Sequence, residues 1–213
     1  SQYSEYDSFI DQRRINRLIL LIQDVEMEVR LRFLVKLKKR LSQNQISKRF
    51  LSLIFFVAHE PNAEIRNSTV TWIRASFSKQ TTTSSAESLV FEKSYVRMLS
   101  MIFNHPEYRE LYNAYSATLS TGDDVAVSEE GDSSFKQLIS FALTYMVFAL
   151  HSIINSENIS LLYYLSQRIK QYKPTTIVPG VEQSKNGLYL LSELSQATIK
   201  YIGSLKNWSI PVW

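Results

Sequence analysis

Apolar residues fall at helical spacing along nearly the whole chain, and strands look absent. Ile15, Leu18, Ile19 and Ile22 occupy i, i+3, i+4 and i+7, one stripe of a first helix that stops near Asp24. The Asp24 carboxylate is placed to accept from free N–H groups of a second helix, in which Val29, Phe33, Leu37 and Leu41 recur every four residues. The other side of that helix is basic, with Arg30, Lys36, Lys38, Lys39 and Arg40. A third helix, Ser47 to Ala58, is apolar on most sides and is expected between neighbours. After a turn at His59–Asn62, a fourth carries Ile65, Trp72 and Ile73.

The Thr/Ser run 78–85 predicts a loop. Helices over 86–103 and 107–119 follow, joined at Asn104-His105-Pro106. Beyond 134, Phe135, Leu138, Ile139, Ala142, Leu143, Met146, Leu150 and Ile153 form one stripe and Phe141, Tyr145 and Phe148 a second, which predicts the most buried segment of the chain. Ser156 is placed to cap a helix over 157–172. A Pro/Gly loop leads to a last helix over 186–205 and a tail whose Trp208 and Trp213 are expected to dock on the body. The fold class expected is all-α, about nine helices arranged as a HEAT-type repeat solenoid.

The repeat rests on an offset of 36 between the first two turns: Asp24/Glu60, Glu28/Glu64, Val29/Ile65, Arg30/Arg66 and Leu37/Ile73. An acidic turn, then an apolar residue followed by arginine at the start of the second helix, is the HEAT pattern. The carboxylate is expected to cap the second helix, the apolar residue to enter the core, and the arginine to stay at the rim. Residues 1–213 are expected to form one such segment. Within it, 1–80 makes two regular hairpins, 81–119 an irregular one, 120–133 a mobile acidic insert, and 134–213 the C-terminal helices and tail.

Charge refines this organisation. The net formal charge is +4, but Asp123, Asp124, Glu129, Glu130 and Asp132 lie together in 120–133 without a cation, leaving a basic remainder. Such a surface suits DNA or an acidic peptide. Cysteine is absent, which removes disulfides, thiolate metal sites and cysteine nucleophiles. Histidines 59, 105 and 151 have no second ligand at metal spacing, and the five glycines form no phosphate-cradling loop. No cofactor, metal or catalytic motif is therefore expected. The longest apolar stretch, Leu138 to Leu150, is too short to span a bilayer, so no membrane partner is expected.

Two blocks carry a resemblance. The N-terminal one reads INRLILLIQDVEMEVRLRFLVKLKKRL with FLSLIFFVAHEPNAEIRNSTVTWIR; the C-terminal one reads IINSENISLLYYLSQRIKQY, then NGLYLLSELSQATIKYI and NWSIPVW. Together they resemble the C-terminal HEAT region of the precocious-dissociation-of-sisters family of cohesin regulators, in its fungal-like form. The resemblance implies a nuclear, chromatin-associated, non-enzymatic scaffold that binds the cohesin complex through its kleisin subunit. It further implies a Wapl-type releasing factor and the cohesin acetyltransferase as partners. The family's inositol-phosphate-binding residues have no counterpart here.

Two candidate surfaces follow from the residues. Tyr164, Arg168 and Gln171 share a helix face away from the apolar stripe, with an aromatic and an arginine one turn apart, residue types favoured at interface hot spots. Lys36, Lys38, Lys39, Arg40, Lys48 and Arg49 form the densest basic cluster, a candidate for DNA phosphates or an acidic peptide, with a solvated helix end as the plainer reading.

Overall fold

The computed structural model describes residues 10–81, 89–120, 129–171 and 185–210, and every regular element among them is helical. The α-helices are α1 (Gln12–Ile22), α2 (Met27–Ser42), α3 (Ala63–Thr81), α4 (Val90–Phe103), α5 (Pro106–Ser120), α6 (Glu129–Ile153), α7 (Ile159–Arg168) and α8 (Lys185–Leu205). Two 3-10 helices, Lys48–His59 and Ile169–Gln171, complete the series. This is the all-α helical-repeat class that the apolar spacing predicts. The chain divides into two compact units, one of residues 1–98 with 148–155, the other of 99–147 with 156–213.

In the first unit, α1 and α2 form a hairpin against which the 3-10 helix Lys48–His59 packs, followed by α3. Ile15, Ile19 and Ile22 of α1 are buried as the stripe predicts, with Leu18 at the margin. The α2 stripe is rotated from the expected one: Arg30, Leu34, Leu37 and Leu41 are buried, whereas Val29 is 37% exposed and Phe33 half-buried. A strict four-residue spacing drifts around a helix of 3.6 residues per turn, so residues 29 and 33 fall off the face that 37 and 41 share.

Arg30 replaces the expected rim arginine with a buried one. Its Nε and Nη2 donate to the Glu60 carboxylate at 2.7 and 3.1 Å, and its Nη1 donates to the carbonyls of Asp24 (2.7 Å) and Val25 (2.9 Å). Burial is tolerated because the guanidinium fork is satisfied by a carboxylate and two carbonyls at once.

The 36-residue offset recurs in two bonds of each turn. Asp24 Oδ1 accepts from Glu26 N as Glu60 Oε1 accepts from Asn62 N. Arg30 Nη1 reaches the Asp24 carbonyl as Arg66 Nη1 reaches that of Glu60. Each carboxylate thus shapes its turn rather than capping the helix, and in the second copy Asn62 Oδ1 is the cap, accepting from the N–H groups of Glu64 and Ile65.

The segment Lys48–His59 is helical as expected but wound as 3-10, with Ser47 Oγ accepting from Arg49 N at its start. Residues Phe50 to Ala58 are all buried, so this run, rather than the one after 134, is the most continuously enclosed. The expected loop at 78–85 is helical up to Thr81, and the rest of it lies outside the described residues.

In the second unit, α7 and α8 form a close hairpin. Small polar residues line its seam: the Ser166 and Ser195 hydroxyls are 2.8 Å apart, and Ser192 Oγ donates to the Ser166 carbonyl. The cap of α7 is Asn158, not Ser156, and Asn158 makes no side-chain cap bond. Tyr108 of α5 is buried and donates its hydroxyl to the carbonyl of Gly187 at 2.8 Å. A side chain at Gly203 would meet Ile159 Cδ1 at 2.9 Å, and the tail turns back there, with Trp208 N donating to the Gly203 carbonyl. Trp208 is half-buried; Trp213 lies outside the described residues.

Part of the expected acidic excursion is helix. α6 begins at Glu129, and Asp132 in its first turn pairs with Lys136; residues 121–128 lie outside the described set. Between Gly131 and Ile153, α6 is long and apolar enough to cross a bilayer by length and composition alone, which the shorter run 138–150 does not anticipate. Leu138, Ala142, Tyr145, Met146, Ala149 and Leu150 are nonetheless buried, whereas Phe135, Ile139, Leu143 and Phe148 of the two expected stripes are half-buried.

Candidate interaction surfaces

Burial of Ile159, Leu162, Ser166 and Ile169 turns the opposite side of α7 outward. Tyr164 is 45% exposed, and Arg168, one turn on, is exposed beside it. Arg168 Nη1 lies 3.3 Å from the Tyr164 hydroxyl and its guanidinium carbon 5.9 Å from the ring centroid. The structure therefore brings these two expected residues together as one platform whose ordering cost is partly met before any partner arrives. Gln171 is exposed too, but it belongs to the 3-10 turn Ile169–Gln171, so its register with α7 changes there. Nearby, Lys170 pairs with Glu193 and lies 6.0 Å from the Tyr189 ring.

The six basic residues differ in exposure and in the groups they meet. Lys36, Lys39 and Arg40 are exposed on α2, with Arg40 Nη1 donating to Gln45 Oε1. Lys38 turns toward α3, its Nζ 3.4 Å from Thr69 Oγ1, and burial pulls its ammonium below the usual lysine range. Lys48 Nζ donates to the Leu41 carbonyl at 3.1 Å, holding the C-terminal end of α2, and Arg49 stacks over Phe50 at 5.3 Å. The solvated-helix-end reading fits Lys39 and Arg40, exposed in the last turn of α2, whereas the half-buried Lys48 reaches that end from the next element.

A third feature escapes a linear reading. Near the C-terminal end of α2, a cleft of about 280 Å³ opens between residues far apart in sequence. Leu41, Leu51, Val90 and Phe91 give it apolar lining, while Trp72, Ser76 and Lys79 form its α3 wall. The wall residues sit at i, i+4 and i+7, one face of the helix, and Trp72 Nε1 is fixed by the Ser42 hydroxyl at 3.2 Å. Lys48 lines the other side. The only sequence signal was the spacing on α3, which a core face would produce equally well.

Among the described residues, no group of three histidine, aspartate or glutamate side chains is placed to hold a metal.

The family model described as sister chromatid cohesion protein PDS5 matches residues 1–213. The sister chromatid cohesion protein PDS5 of Saccharomyces cerevisiae is 30% identical over 223 residues, covering 98% of this chain and 16% of its own length. That of Schizosaccharomyces pombe is 25% identical over 210 residues, covering 98% of this chain and 15% of its own length. The chain thus spans about a sixth of the curated relatives it matches. With helical hairpins repeating at 36 residues and a match over its whole length, this chain belongs to the PDS5 family of sister chromatid cohesion proteins.

Proposed function

We propose that this chain is a non-enzymatic, protein-binding segment of a nuclear regulator of sister chromatid cohesion, which docks the cohesin complex through its kleisin subunit. Family membership supports the cohesion role. The observation that carries the docking surface is the Tyr164–Arg168 pair, an exposed aromatic and guanidinium held together on a helix whose other side is packed. Binding at such a face works by shape and charge alone: the ring supplies apolar area, the arginine a fork for a carboxylate or carbonyl. A Wapl-type releasing factor and the cohesin acetyltransferase are the further partners this scaffold would position.

The test is a titration of the chain against reconstituted cohesin core containing kleisin. We expect binding that persists at physiological salt and weakens about tenfold, roughly 1.4 kcal/mol, in Tyr164→Ala or Arg168→Glu. Because both side chains are exposed, neither change should lower the urea midpoint. Equal affinity of wild type and both variants overturns the assignment of this face.

A second reading, contact with DNA, is favoured by the exposed trio Lys36, Lys39 and Arg40. A generic duplex titrated in parallel separates the two, since phosphate contacts lose affinity steeply as salt rises.

A further inference from the structure

We infer that the cleft between α2, the 3-10 helix Lys48–His59, α3 and the start of α4 is a docking groove for a short acidic peptide carrying one large apolar side chain. It is a second surface, separate from the Tyr164 face. Its test uses no cohesin subunit, so its failure and the failure of the kleisin reading are different results.

Charge argues first. From Val29 to His59, and again from Ile65 to Ala86, the sequence contains no Asp or Glu. Between Asp24 and Thr81 the carboxylates are gathered in the turns that open α2 and α3: Asp24, Glu26, Glu28, Glu60 and Glu64; Glu87, the next in sequence, lies outside the described residues. The C-terminal half of α2 and all of α3 beyond Glu64 are therefore basic or neutral, and the cleft lies there. Among the described residues that line it, two are lysines, Lys48 and Lys79, and none is acidic. Glu92, next to the lining residue Phe91, is only 3% exposed and does not line the cleft. Lys39 and Arg40, exposed just before Leu41 and Ser42 of the cleft wall, extend the positive field beyond it.

Shape and polarity argue second, and they select a peptide over nucleic acid. Phosphate contacts need cations and N–H donors, and would leave Leu51, Val90, Phe91 and the Trp72 ring without a role. The volume is slightly below that of drug-sized ligand sites and suits one or two side chains of a bound segment. Trp72 is half-buried, held by its bond to Ser42, and a fixed, partly exposed tryptophan beside an apolar floor is an anchor site for an aromatic or long aliphatic residue. Acidic residues flanking that anchor would meet Lys48 and Lys79. The Lys48 ammonium gives one N–H to the Leu41 carbonyl and has three in all.

The experiment is selection of a phage-displayed library of random dodecapeptides on the folded chain, followed by fluorescence anisotropy of the enriched peptides at about 0.15 M salt. The expected consensus is one aromatic or long aliphatic residue flanked by Asp or Glu. Replacing that anchor by alanine should weaken binding about tenfold. Lys79→Glu, at an exposed position, should weaken it about tenfold, and Ser76→Trp, which fills the cleft, should do at least as much. Lys36→Glu, the same charge change outside the cleft, should stay within about threefold. Circular dichroism of each variant separates lost binding from lost folding, and Lys79→Glu alone decides the matter if Ser76→Trp misfolds. A neutral, basic or absent consensus overturns the inference. So does equal weakening by Lys79→Glu and Lys36→Glu, which would mean a diffuse field, or tighter binding of a duplex DNA than of any selected peptide at that salt.

Discussion

Arg30 and Glu60 show how much one pair can decide. Glu60 is 5% exposed and Arg30 9%, so each depends on the other to remain charged away from water. Burial alone would raise the Glu60 carboxyl. The hydrogen bonds from Arg30 and Asn62 N and the charges of Arg30 and Arg66 outweigh it and hold the group below the usual carboxylate range. A carboxyl depressed by folding contributes stability that is complete above its unfolded value, about 4.3, and is lost as pH falls through the folded value. Urea midpoints measured between about pH 7 and pH 3 should therefore fall in acid for the wild type and fall less for Glu60→Gln. At neutral pH, Glu60→Gln should cost about 3 kcal/mol, because it leaves the Arg30 charge buried without its counterion. The pairing of acid and arginine at a 36-residue offset was visible in sequence, but which arginine meets which acid was not. Sequence spacing places Arg30 near Asp24, and the side chain does bond that turn's carbonyls, but the carboxylate it pairs with belongs to the next turn.

At the scale of elements, existence and order were legible and winding was not. Helix positions follow apolar spacing, which the core enforces. The 3-10 winding of Lys48–His59 leaves no such signature, because a run buried on every side has no stripe whose period could be measured. The Tyr164 and Arg168 face could be read because α7 has a stripe to oppose. The cleft could not, since its walls come from four elements. Two substitutions test the elements. Asn62→Ala removes the acceptor for two first-turn N–H groups of α3 and should cost about 1 kcal/mol in chemical denaturation. Gly203→Val should cost about 2 kcal/mol: the first atom of any side chain there already lies within 2.9 Å of the buried Ile159, and valine adds two more. A gain in stability from that valine would mean that the α7–α8 seam is looser than its serine contacts indicate.

For the molecule as a whole, composition and side-chain burial point in different directions on α6. By length and apolarity this helix could cross a bilayer, yet Leu138, Ala142, Tyr145, Met146, Ala149 and Leu150 are buried. In vesicle flotation the purified chain should stay in the bottom fraction with phosphatidylcholine membranes; recovery with the lipid would mean that α6 leaves its packing. The ladder of Arg30 and Arg66 also bears on how the chain can change over evolutionary time. A fork that must arrive on its carboxylate within hydrogen-bond reach makes the stretch from 30 to 60 intolerant of length change. Adding or dropping a single residue inside α2 would swing everything beyond it by about 100°, carrying Arg30 and Glu60 out of register. Between these two residues, divergence among relatives should therefore proceed by replacement, and gaps in their alignments should fall elsewhere.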